Sequence, residues 1–105
     1  MSDIAYLDNN ATTAVDPAVF EAMTPFLTSE YGNPSSIHSF GASVGKAIEK
    51  ARTQVQSLIG AQYSTEIIFT SCASEASSTA ILSAVASFPE KKEVICSAVE
   101  HPATL

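Results

Sequence analysis

Residues 66–82, EIIFTSCASEASSTAIL, decide how the rest of the chain is read. Ile67, Ile68 and Phe69 form an apolar, β-prone run too short for a helix, and the Ala-rich stretch after Cys72 is long enough for one. The pattern predicts a strand over residues 66–70, a small polar turn, and a helix from about Ala73 to Ser87. Ser71 and Ser74 place hydroxyls where that helix begins. Its first backbone N–H groups have no intrahelical partner and carry the positive end of the helix dipole, so the turn suits a phosphate ester. The same serines would also serve as ordinary N-caps.

Outward from this segment, Pro89, Glu90, Lys91 and Lys92 mark a turn, and residues 93–97 read as a second strand. Strand, crossover helix and strand imply parallel pairing in a right-handed unit. The expected fold class is therefore α/β: a partial parallel-sheet β-α-β unit with preceding helices. Parallel sheets are covered on both faces. Two strands do not make such a sheet, so residues 1–105 are expected to form a single incomplete α/β domain, extended by further chain or completed by a partner.

Upstream, Asp16 before Pro17 is a helix start, an acidic N-cap followed by proline in the first turn. Val19, Ala22, Met23, Phe26 and Leu27 continue that helix, with a kink or end expected near Thr24 because Pro25 lacks an N–H. Residues 31–36, YGNPSS, are a loop. From Ser39 an apolar stripe of Phe40, Val44, Ala47, Ile48, Ala51, Val55, Leu58 and Ile59 opposes Lys46, Glu49, Lys50 and Arg52, and Gly60 ends the helix. Gly41 and Gly45 lower the propensity of the first turns, and their four-residue spacing suggests close approach by a neighbouring backbone, the alternative being a frayed helix start.

Composition narrows the partners. The chain has 105 residues, 46% of them hydrophobic, and its net charge of −6 arises from eleven acidic against five basic residues. That charge repels nucleic-acid phosphates and anionic membrane surfaces, so neither is expected as a partner. The opening MSDIAYLDNN lacks the basic and apolar regions of a secretory leader, no run is long enough to span a bilayer, and a cytoplasmic location is expected. Cys72 and Cys96 have no CxxC or histidine spacing around them, so neither a disulfide framework nor a metal site is implied.

Four segments carry a resemblance: YLDNNATT at residues 6–13, GNPSSIH at 32–38, FTSCASE at 69–75 and VEHPA at 99–103. In order and spacing they resemble the beginning of NifS/IscS-like cysteine desulfurases, pyridoxal-phosphate enzymes of the class V aminotransferase group with fold type I architecture. The resemblance covers essentially the whole chain and only the first quarter of the family's length. It implies the N-terminal part of a PLP-dependent transferase large domain. It also implies an activity that converts L-cysteine to alanine plus an enzyme persulfide for iron–sulfur cluster assembly, with pyridoxal 5′-phosphate as cofactor. Ala73 and Ser74 match the small residue and threonine that bind the cofactor phosphate, and His101 matches the histidine stacked on the pyridine ring. A small residue admits the backbone to the phosphate, a serine hydroxyl replaces that of threonine, and an imidazole covers a ring face and relays protons. The family's polar loops at Asn9-Asn10-Ala11-Thr12 and Asn33-Pro34-Ser35-Ser36 lie near its active-site region and dimer contacts.

The chain departs from the family at Ala76-Ser77-Ser78, where short hydroxyls replace longer amides or acids. The family's Schiff-base lysine, the aspartate facing the pyridine nitrogen, the arginine for the substrate carboxylate and the sulfur-accepting cysteine have no counterpart here. Lys46, Lys50, Lys91 and Lys92 read as surface charges, and Cys72 and Cys96 are not the acceptor. The chain alone is expected to lack desulfurase activity, which would need a homo-oligomer or a complementing C-terminal chain. The alternative is a non-catalytic truncated relative acting as a self-associating binding or assembly module, with a simple phosphate-ester binder as a third reading. Of the remaining polar residues, His38 reads as a loop residue, Asp8 as turn chemistry and Glu75 as a carboxylate favouring the helix dipole.

Overall fold

The computed structural model describes residues 4–105. The chain divides into two compact units, Met1–Ser64 and Thr65–Leu105.

In the first unit, α1 (Pro17–Thr28) starts where the sequence indicates: Asp16 is the N-cap and its Oδ1 accepts the Ala18 N–H at 2.8 Å. The helix does not end near Thr24. It runs through Pro25 to Thr28, because a proline removes one N–H without preventing the next turn from closing. Ser29 and Glu30 then donate their N–H groups to the Pro25 carbonyl, at 2.9 and 2.7 Å, and the helix stops.

The second helix, α2 (Ser39–Ile59), has the expected bounds, with Gly60 in the left-handed region at φ 71°. The Gly60 and Ala61 N–H groups both go to the Gln56 carbonyl, so the last turn closes in the manner that favours glycine at this position. Its half-buried face carries Val44, Ala47, Ile48, Ala51 and Val55, with Phe26, Val44, Ala47, Ile48 and Ala51 lining an apolar cavity of about 190 Å³. Leu58 and Ile59, on the expected stripe, are exposed.

The spacing of Gly41 and Gly45 has the meaning expected of it. A Cβ on Gly41 would overlap the Asn33 carbonyl oxygen and lie 2.9 Å from Ser36 Cβ, and one on Gly45 would lie 3.4 Å from the Pro34 carbonyl oxygen. The loop of residues 33–36 thus lies directly on α2. Asn33 shapes it, its Oδ1 accepting the Ser35 N–H at 2.9 Å and its carbonyl the Ser36 N–H at 3.0 Å. Tyr31 meets Phe40 edge to face, ring centroids 5.2 Å apart.

The second unit contains a 3-10 turn (Ser64–Glu66 at its border) and α3 (Ala73–Ser87), the latter at the expected bounds. The expected strands are not formed among the described residues: Glu66 lies in the 3-10 turn, and residues 67–70 and 93–97 adopt no regular element. A strand exists as part of a ladder, and a parallel pair requires cover on both faces that two short segments do not supply. Ile67, 7% exposed, is the buried apolar residue among those described, whereas Ile95 is 95% exposed. The Lys91 N–H closes the expected turn onto the Phe88 carbonyl at 2.9 Å.

Candidate functional site

The start of α3 is built differently from a serine-capped helix. Cys72, extended at φ −164°, is the N-cap and makes no side-chain cap hydrogen bond. Ser71 donates both its N–H and its hydroxyl to Oε2 of Glu75, each at 2.6 Å. The arrangement is a displaced capping box, in which the third-position carboxylate reaches back past the N-cap to the residue before it. These two bonds from Ser71, hydroxyl first, hold the Glu75 carboxyl below its ordinary value. Glu75 therefore serves more than the helix dipole.

Donors also converge on Cys72. The backbone N–H of Glu75 contributes most, and the N–H and hydroxyl of Ser74 more weakly, to lower the thiol below its usual value; the Ser71 oxygen lies 3.8 Å from Sγ, with its hydrogen on Glu75. Both Cys72 and Cys96 are free and exposed. The donors at this turn favour a negative charge at the helix start.

Along the first turns of α3, Ala73, Ser74 and Ser77 share one face. The C-terminal segment lies against it: Ala73, Ser74, Ser77, His101, Ala103 and Thr104 line one cavity of about 140 Å³. Ser77, Ala103 and Thr104 are half-buried there. The three residues singled out in the sequence, Ala73, Ser74 and His101, are thus brought together from positions far apart in the chain. His101 is held by its own turn, Nδ1 accepting the Ala103 N–H at 3.1 Å and its carbonyl the Thr104 N–H at 2.8 Å.

Ser77 and Thr104 were not legible as lining residues. The signal for Ser77 was its i+3 spacing from Ser74, which the departure at Ala76-Ser77-Ser78 obscured; nothing in the sequence pointed to Thr104. His38 and Asp8 belong to the first unit and serve turns. The His38 carbonyl accepts the Gly41 and Ala42 N–H groups, and the Asp8 carbonyl accepts that of Ala11 at 3.1 Å, beside a 2.8 Å bond between the Tyr6 and Thr12 hydroxyls. Among the described residues no cluster of potential metal ligands occurs, and no helix is long and apolar enough to cross a membrane.

Against known families, residues 5–105 match the class-V aminotransferases. The chain belongs to the aminotransferase class-V family. This class-V chain is 65% identical over 100 residues to a cysteine desulfurase of Enterobacter agglomerans, a match covering 95% of the chain and 25% of that protein. It is 59% identical over 105 residues to the cysteine desulfurase NifS of Azotobacter vinelandii, covering 100% of the chain and 26% of that protein. Among solved structures, a NifS-like protein superposes with a TM-score of 0.82 at 40% identity, covering 92% of this chain and 27% of the other. The chain spans about a quarter of the length of the curated relatives it matches.

Class-V aminotransferases depend on pyridoxal phosphate, and the donor set fits the phosphate end of such a cofactor. The Glu75 and Ser74 N–H groups and the Ser74 hydroxyl already favour an anion at Cys72, and Ser74 and His101 line one cavity beside them.

Proposed function

We propose that this chain carries the phosphate-side part of the pyridoxal 5′-phosphate site of a cysteine desulfurase. The single observation behind this reading is the common cavity of Ala73, Ser74 and His101. In it, Ala73 admits the backbone to the phosphate, the Ser74 hydroxyl and the first-turn N–H groups of α3 hold it, and the His101 ring covers the cofactor ring. When bound, pyridoxal phosphate supplies an electron sink for the substrate amino acid, and the protein supplies orientation and electrostatics. The substrate in this reading is L-cysteine, converted to alanine with the sulfur passed to an enzyme persulfide for iron–sulfur cluster assembly in the cytoplasm.

Residues 1–105 act in this reading as one incomplete α/β domain whose segments 67–70 and 93–97 become parallel strands when neighbouring strands are supplied, by a second copy or by a complementing chain. The family's Schiff-base lysine and sulfur-accepting cysteine have no counterpart in the sequence, so the chain alone has no desulfurase activity. The test is a titration of the chain with pyridoxal 5′-phosphate and with pyridoxal. Saturable, phosphate-dependent binding that borohydride does not make covalent is expected. Equal binding of both compounds overturns the phosphate assignment, and alanine and sulfide formation from cysteine by the isolated chain overturns the inactivity.

A second reading, a non-catalytic self-associating module, draws on the apolar side chains left exposed, among them Leu7, Ile37, Leu58, Ile95 and Val99. Exposed apolar surface on this scale favours association.

A further inference from the structure

The ring of His101 is engaged through Nδ1 by its own turn. His101-Pro102-Ala103-Thr104 is a β-turn closed by the Thr104 N–H on the His101 carbonyl at 2.8 Å. Proline stands at its second position, where its fixed φ is favoured. At the first position of such turns an Asp or Asn side chain commonly accepts the N–H two residues on. Here the imidazole takes that part, Nδ1 accepting the Ala103 N–H at 3.1 Å. A ring nitrogen that accepts is unprotonated, so the neutral ring carries its hydrogen on Nε2. The other tautomer would set an N–H against an N–H. Both His101 and Ala103 line the cavity that also contains Ser74 and Ser77.

Resting on the reading of this cavity as the cofactor site, we propose that the Ala103 backbone amide is its positioning group, fixing His101 as a hydrogen-bond donor through Nε2 and withholding the neutral ring from service as a proton acceptor. On the neutral ring Nε2 already holds a hydrogen, and the Nδ1 lone pair is engaged by Ala103. To take up a proton, Nδ1 must release the Ala103 N–H. That hydrogen bond breaks, the proton binds Nδ1, and the imidazolium has two donors; the ring returns to neutrality by giving up either proton. Proton relay by His101 is therefore coupled to opening of its own turn, while hydrogen-bond donation from Nε2 to an acceptor atom of a bound ligand requires no opening.

The test is long-range proton–nitrogen correlation on the ¹⁵N-labelled 105-residue chain. His38, whose side chain makes no cap hydrogen bond, serves as the internal reference. His101 is expected as the Nε2–H tautomer, with a through-hydrogen-bond coupling between the Ala103 nitrogen and Nδ1. In Ala103→Pro, which lacks the donor, the Nδ1–H to Nε2–H ratio is expected to rise about fivefold, the factor matching a hydrogen bond of about 1 kcal/mol. A His101 tautomer ratio equal to that of His38 in the unaltered chain, with no coupling, overturns the proposal whether or not the proline variant folds. Titration with pyridoxal 5′-phosphate separates the two ideas. A fixed tautomer without phosphate-dependent binding overturns the site reading alone, and binding with a mixed tautomer overturns the Ala103 assignment alone.

Discussion

Ser71 gives both of its hydrogen-bond donors to one oxygen of Glu75, its N–H and its hydroxyl each lying 2.6 Å from Oε2. The pair ties the residue before the N-cap to the third position of α3, and so fixes how the chain enters the helix. Neither group on its own would do this, since a dipole-favouring carboxylate has no need of a specific partner.

Glu75→Ala should speed amide exchange at Ser71 several-fold and fray the first turn of α3, while Glu75→Gln, which keeps an acceptor, should retain part of the protection. Because the folded carboxyl lies below its ordinary value, its contribution is present above the unfolded value and is lost as pH falls through the folded one. The protection of the Ser71 amide, its exchange rate compared with that of the unfolded chain at the same pH, should fall in that window in the unaltered chain and stay flat in Glu75→Ala. Identical pH profiles would remove the clamp from the account.

Cys72 should react faster with iodoacetamide at neutral pH in the folded chain than in the chain unfolded in guanidinium, because the Glu75 N–H, with the Ser74 N–H and hydroxyl, favours its thiolate. A folded rate no greater than the unfolded one would show that these donors do not act on the sulfur.

Ser74→Ala should weaken binding of pyridoxal 5′-phosphate about tenfold or more, since a hydrogen bond to a charged group contributes about 1.5–3 kcal/mol. Binding of pyridoxal, which has no phosphate, should be unchanged. Equal losses for both compounds would point to a structural effect rather than to phosphate recognition.

Gly41→Ala and Gly45→Ala should move stability in opposite directions. The first places a methyl group into the Asn33 carbonyl and against Ser36, and overpacking of this kind costs about 1–3 kcal/mol. The second meets the Pro34 carbonyl oxygen at 3.4 Å and should gain up to about 1 kcal/mol from the better helix propensity of alanine. Denaturant midpoints for the two variants measure this, and a shared sign would remove the loop contact as the cause.

The helices were largely legible in the sequence. Apolar spacing together with Gly60 set the bounds of α2, Asp16-Pro17 set the start of α1, and the bounds of α3 followed from the turn before it. Of the kink or end read from Pro25, the end did not occur, because a proline in a helix removes one bond and the following turn still closed. The strands are not formed among the described residues for a different reason: residues 67–70 and 93–97 have the composition of strands, but a strand depends on neighbours that composition does not report. At the site, Ala73, Ser74 and His101 were found through motif resemblance. The capping role of Cys72 and the part played by Thr104 depend on side-chain geometry with no sequence pattern of its own.

The loop lying on Gly41 also bears on how this chain can change over time. Asn33, Ser36 and Gly41 share one small volume, so a side chain gained at position 41 is tolerated only if the loop is rebuilt, and a rebuilt loop removes the reason for a glycine. The three positions are thus expected to vary as a group among relatives. Gly45, set against the same loop at a looser distance, is free to drift alone.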